Sequence, residues 1–140
     1  MDDYVNELAQ RINQIVVGGY GLNDTSGSPP GRLFFEPAAG KITAANIKIS
    51  NDIKDSPKDL PFSKFAGEPG NAELALAIGR LAQDAQFLNG QKPSDFYSAY
   101  IGKIGTLSQE ATNGKDTTRL VAEQLSNQRE SIIGVNTDEE

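Results

Sequence analysis

Apolar residues recur at steps of three and four along much of the chain, and that spacing predicts helices in three places. Val5, Leu8, Ile12 and Ile15 are separated by Glu7, Gln10, Arg11, Asn13 and Gln14, a heptad-like stripe on an amphipathic helix over about 3–17. Gly18, Gly19 and Gly21 then end it, because glycine accepts the backbone a helix exit needs. The stripe is already running at residues 4 and 5, so the natural helix is expected to begin upstream of the chain. A second helix is predicted from Asn71, its N-cap, through Leu74, Ile78, Leu81, Ala85 and Leu88 to a stop at Asn89-Gly90. Pro93-Ser94-Asp95 opens a third, with Tyr97, Ile101, Ile104 and Leu107 on one face beside Phe96 and Tyr100. Val121, Leu125, Gln128 and Ile132 form a later seam. The pattern leaves open whether a turn at Asn113-Gly114 divides the two seams or one helix carries both.

Between the first two helices the periodicity is lost. Residues 21–31 concentrate Gly, Asn, Asp, Ser and Pro and read as an exposed loop. Leu33-Phe34-Phe35 follows as an apolar anchor, and the alternation of Ile47 and Ile49 with Asn46, Lys48 and Ser50 predicts a brief strand over 45–50. Residues 51–70 hold Pro57, Pro61 and Pro69, which forbid a long helix, so Ile53, Leu60, Phe62 and Phe65 are expected to pin an irregular connection. The fold expected is mainly α, about four helices packed as a bundle or coiled coil, with a small β element around 33–50. Its organisation reads as a helix over 1–20, a loop and short β region over 21–70 and a helical bundle over 71–135.

Composition narrows the chemistry. The 140 residues carry a formal net charge of -6, which disfavours an electrostatic grip on nucleic-acid phosphates or an anionic membrane surface. Neither nucleic acid nor membrane is an expected partner. Absence of cysteine excludes disulfides and thiolate chemistry, and absence of histidine removes the commonest general acid–base group and transition-metal ligand. No apolar run approaches the roughly 20 residues a membrane-spanning helix needs.

Each motif with a chemical reading also has a plainer one. Gly19-Tyr20-Gly21 lacks the preceding strand, following helix and Lys-Ser/Thr pair of a phosphate loop, so it reads as a helix exit and turn. Asn23-Asp24-Thr25 is a formal glycosylation sequon inside a polar turn. Asp52, Asp55, Asp59 and Glu68 lack the spacing of a calcium loop and read as a solvated connection. A hydrolase without histidine needs a Ser-Lys pair or a metal, and neither is signalled. No catalytic, cofactor-binding or metal-ligating residue is assigned. Phe34, Phe35, Phe62, Phe65, Phe96, Tyr97 and Tyr100 fall beside apolar periodic positions and are expected in the core.

The segment Ser126-Asn127-Gln128-Arg129-Glu130-Ser131-Ile132-Ile133-Gly134-Val135-Asn136-Thr137-Asp138-Glu139-Glu140 resembles a signature near the C-terminus of the flagellar hook-associated protein 1 family. In that signature a Gln-rich helix end is followed by S-x-x-G-V-N-x-D-E-E and a terminal helix. Gly67-Glu68-Pro69-Gly70-Asn71, Asn89-Gly90 and Phe96-Tyr97-x-x-Tyr100-Ile101-x-x-Ile104-Gly105 are similar to the family's loop, N-G turn and following helix. Val5-Asn6-Glu7-Leu8-Ala9, Asn13, Gly19-Tyr20 and Phe34-Phe35 resemble the segment before its variable domain. Two departures stand out: Val16 occupies a place where many members have His, and only 38–52 stands where they often carry a large β-rich insertion.

The resemblance implies a non-enzymatic structural subunit of the extracellular bacterial flagellum, at the hook–filament junction and exported by the flagellar apparatus. Implied partners are copies of itself, the hook protein and the neighbouring junction protein. Residues 136–140 read as the start of a further helix; native N- and C-terminal helices are expected beyond the chain, and an export chaperone would bind the latter. No cofactor is implied. The expected packing surface is Leu74, Ile78, Leu81, Ile101, Ile104, Val121, Leu125 and Ile132. The alternative is a soluble secreted binding module that uses the 21–31 loop.

Overall fold

The computed structural model describes residues 1–36 and 39–135. The protein is mainly helical, with α1 (Asp2–Val16), α2 (Asn51–Lys54), α3 (Glu73–Arg80) and α4 (Pro93–Val135), and 3-10 turns at Pro57–Asp59 and Leu81–Gln83. Two units emerge, Met1–Ser98 and the part of the chain from Ala99 onward.

In the first unit α1 packs against α3. Asp2 and Asp3 lie in its first turn, where their charge suits the positive end of the helix dipole. The positions it buries are Ala9, Ile12 and Val16, at the three- and four-residue steps of one helix face. The expected stripe is thus rotated slightly: Val5, Leu8 and Ile15 are half-buried flanks, and the small Ala9 takes the centre. Phe87 is the largest fully buried side chain, 1% exposed. Its ring meets Tyr4 edge-on at 5.2 Å between centroids, and Tyr4 stacks on Phe96 at 5.6 Å.

The predicted elements shift where local geometry overrides periodicity. The 45–50 strand is absent: a turn occupies 44–46, and one antiparallel bridge joins Phe35 to Ile49. The buried Ser50 instead starts α2, its hydroxyl accepting from the Asp52 N–H at 3.2 Å, and Ile53 is buried on that short helix. The N-cap of α3 is Ala72, one residue beyond the Asn71 expected, and Asn71 just outside the helix accepts from the Glu73 N–H through its Oδ1 at 3.1 Å. But α3 ends at Arg80 and tightens into Leu81–Gln83, so Ala85 and Leu88 lie outside it. Asn89 and Gly90 have φ of 52° and 72°, and Leu88 and Gln91 bridge across them. This is a two-residue turn of the I′ kind, the geometry Asn-Gly favours, rather than a helix stop.

Helix α4 runs unbroken through Asn113-Gly114 for 43 residues. The start expected at residues 136–140 lies outside the described residues, as do Pro37 and Ala38.

Candidate functional site

Three features could carry function: a polar ladder on α1, a clip at the base of the 21–31 loop, and the exposed face of α4. The ladder arises because Asp2, Asn6 and Asn13 face one segment of chain. Asn13 Oδ1 accepts from the Phe34 and Phe35 N–H groups at 3.0 and 2.8 Å, and its Nδ2 donates to the Phe35 carbonyl at 2.9 Å. One side chain therefore satisfies three backbone groups, while across the Phe35–Ile49 bridge the Ser50 N–H donates to the Phe34 carbonyl at 2.9 Å and the Glu36 N–H to the Lys48 carbonyl at 3.0 Å. Asn6 accepts from the Ile42 N–H at 3.1 Å and Asp2 from the Ala44 N–H at 3.1 Å, while Lys41 pairs with Asp3. Ile42, 5% exposed, is held in the core by this docking. On another side of α1, Arg11 reaches Glu7 at 2.6 Å and Asp84 at 2.5 Å, and its Nη2 donates to the Gln86 carbonyl at 2.7 Å. The same guanidinium lies 5.8 Å from the Phe87 ring centroid, so it closes the cap over that residue.

The clip is centred on Arg32. Its guanidinium forks onto both oxygens of Asp24, at 2.5 and 3.1 Å, with Asp59 3.7 Å away. Asp24 also accepts from the Gly21 N–H at 2.7 Å, and Asn23 donates to Asp59 at 2.8 Å. The Arg32 hydrogen bond, helped by Gly21, holds the Asp24 carboxyl below its ordinary range; Asp24 in turn raises Arg32. Hydrogen bonds from Ser56 and Asn23 likewise lower Asp59. Tyr20 donates its hydroxyl to the Gly27 carbonyl at 3.1 Å, so the base of the loop is tied from several sides.

Gly19-Tyr20-Gly21 is a close-packed ribbon. Tyr20 and Ser63 exchange backbone hydrogen bonds at 2.8 and 3.1 Å. A Cβ on Gly19 would lie 2.3 Å from the Pro61 carbonyl oxygen, and one on Gly21 2.6 Å from that of Lys58. These glycines are required by the approach of backbone to backbone, not by an anion. Beside the ribbon lies a groove of about 300 Å³ lined by Tyr20, Leu22, Leu60, Phe62, Pro69 and Ala72 among others. A second, of about 310 Å³, lies between Phe34, Ile49, Ile53, Pro57, Leu60 and Phe62, with Lys54 at its rim. Among the described residues no group of three or more acidic side chains is placed to hold a metal ion. No described helix is long and apolar enough to cross a membrane.

The expected packing residues divide by element. Leu74, Ile78 and Leu81 are half-buried in the first unit. Ile101, Ile104, Val121, Leu125 and Ile132 are 47–69% exposed, and every residue from 101 to 134 is exposed. Because α4 is unbroken, its two seams share one heptad frame, with Tyr97, Ile104, Leu125 and Ile132 separated by multiples of seven. Of the aromatic residues, Phe34 meets Phe35 and Phe62 at 5.0 and 6.3 Å between centroids, all three half-buried. Phe65 and Tyr97, expected in the core, are instead 52% and 50% exposed. The periodic pattern did not reveal Arg11, Asn13, Arg32 or Phe87, whose contacts with Asp84, Phe34 and Phe35, Asp24 and Tyr4 follow no local repeat.

Comparison with known proteins finds distant relatives. The chain is 28% identical over 106 residues to flagellar hook-associated protein 1 of Escherichia coli K12, covering 75% of this chain and 19% of that protein. It is 24% identical over 114 residues to the proteins of the same name from Salmonella typhimurium and Salmonella typhi, covering 77% of this chain and 20% of each. The chain thus spans about a fifth of the length of these relatives. No family model matches it, and no solved structure matches it.

Proposed function

We propose that the chain is part of a structural subunit of the bacterial flagellum, located outside the cell at the hook–filament junction, and that it works by geometry rather than catalysis. The observation that carries this reading is the distant similarity to flagellar hook-associated protein 1 across three-quarters of the chain. The apolar seam of α4, exposed over several turns, supports it, since a long amphipathic face is suited to helix packing in an assembly. Leu74, Ile78 and Leu81 serve as internal packing, and Ile101, Ile104, Val121, Leu125 and Ile132 as contact surface. Copies of the subunit, the hook protein and the neighbouring junction protein are the partners, and repeated heterologous contacts build the junction. An export chaperone is a further partner.

An antibody raised against this chain, imaged by immunogold electron microscopy on flagella of the source organism, tests the proposal. Gold confined to one band between hook and filament is expected. Label spread along the filament, or found only inside the cell, would sink it.

A further inference from the structure

The middle of α4 is the weakest part of that helix. In residues 112–118, Thr-Asn-Gly-Lys-Asp-Thr-Thr, only Lys115 is a good helix former. The next seven, Arg-Leu-Val-Ala-Glu-Gln-Leu, are mostly strong ones. Thr112, Thr117 and Thr118 each donate a hydroxyl to the carbonyl four residues back, at 3.0, 2.9 and 2.9 Å, a bond that loosens and bends helices. No large apolar side chain occurs from Ser108 to Arg119. Every residue of the stretch is exposed, so local hydrogen bonds alone maintain it. Against this, Gln109 supports Asn113 with one side-chain hydrogen bond of 2.9 Å. An ordinary lone helix frays at its ends and is firmest in its middle; here composition opposes that order.

We propose that residues 112–118 form a conformational joint in α4, opening more readily than the helix on either side. In a straight helix a strict heptad seam drifts by about 20° per heptad, so the three heptads from Ile104 to Leu125 fix the seams roughly 60° apart. Opening the joint releases that offset, and the seams at 97–107 and 121–132 can then meet partners in independent phases. The inference concerns α4 alone and holds whether or not the chain belongs to a flagellum.

Hydrogen–deuterium exchange with peptide-level mass spectrometry on the full chain tests it. Peptides covering 112–118 are expected to exchange about tenfold faster than those covering 121–131. Gly114→Ala with Thr117→Ala is expected to slow the joint about fivefold or more, since glycine alone accounts for roughly that factor in a helix interior. Three outcomes would overturn the proposal: slowest exchange in 112–118, uniform exchange at the unstructured rate from 99 to 135, or a fast centre that the double substitution leaves unchanged.

Discussion

Phe87→Ala removes the largest fully buried side chain of the first unit and should cost that unit about half its stability. Truncating a buried Phe to Ala costs about 3–5 kcal/mol, because apolar transfer is lost and the cavity relaxes only in part. Phe87, 1% exposed, also gives up an edge-on contact with Tyr4 and the guanidinium of Arg11 over its ring. Each such contact adds about 0.5–1 kcal/mol and overlaps with burial, which places the expected loss near the upper end, about 4–5 kcal/mol. At roughly 0.1 kcal/mol per residue, a unit of this size has about 10 kcal/mol to lose. With a urea slope of about 1.5 kcal/mol/M the unfolding midpoint should fall by about 3 M. The assay is a urea titration followed by near-ultraviolet circular dichroism of the tyrosines, which reports tertiary packing rather than the α4 helix content. Phe65→Ala is the control: that ring is 52% exposed, so its loss should stay within about 1 kcal/mol. A midpoint shift under about 0.7 M for Phe87→Ala, at unchanged slope, would refute the assignment of the core.

Asn13→Ala leaves the partly buried Phe34 and Phe35 N–H groups without their acceptor, and a cost of about 2–3 kcal/mol is expected in the same titration, with both amides losing exchange protection. Gly19→Ala forces a methyl against the Pro61 carbonyl, a backbone atom that cannot swing aside, so a loss of about 2 kcal/mol or more should appear as a lower melting temperature. The Asp24–Arg32 clip makes stability fall in acid. The carboxyl is lowered on folding, so its contribution is full above the ordinary Asp value of about 3.9 and is lost as pH falls through the lowered one. Asp24→Asn should therefore destabilise the protein at neutral pH by about 2 kcal/mol, and its deficit should shrink in acid and close only once pH has fallen through the lowered value of the parent carboxyl, as read by urea midpoints across a pH series.

Periodicity located the long helices because their apolar positions repeat locally. Ile12 on α1 and the opening of α4 at Pro93 followed directly from spacing, caps and proline chemistry. It did not decide which neighbouring stripe of α1 is innermost, since that depends on what packs there, and it is Ala9, Ile12 and Val16 that the fold buries. The β element around 33–50 is a single antiparallel bridge, Phe35 to Ile49, for a related reason. Alternation can suggest a strand, but a ladder needs a run of partners, and here the pairing of 34–36 with 48–50 stops at one bridge before the turn at 44–46, while Asn13 satisfies further Phe34 and Phe35 groups from a helix. Nor could periodicity expose the Arg11–Asp84 contact, whose partners are 73 residues apart, or the Arg32–Asp24–Asp59 clip, which closes across an irregular loop with no repeat to mark it. Phe87 is a lone aromatic beside an Asn-Gly turn, with no repeat to mark it as core. Local sequence thus determined helix existence, the chemistry excluded by lack of His and Cys, and the apolar seams of α4. Tertiary structure alone decided the core around Phe87, the docking of 34–44 on α1 and the close backbone approach at Gly19, because each is fixed by atoms distant in the chain.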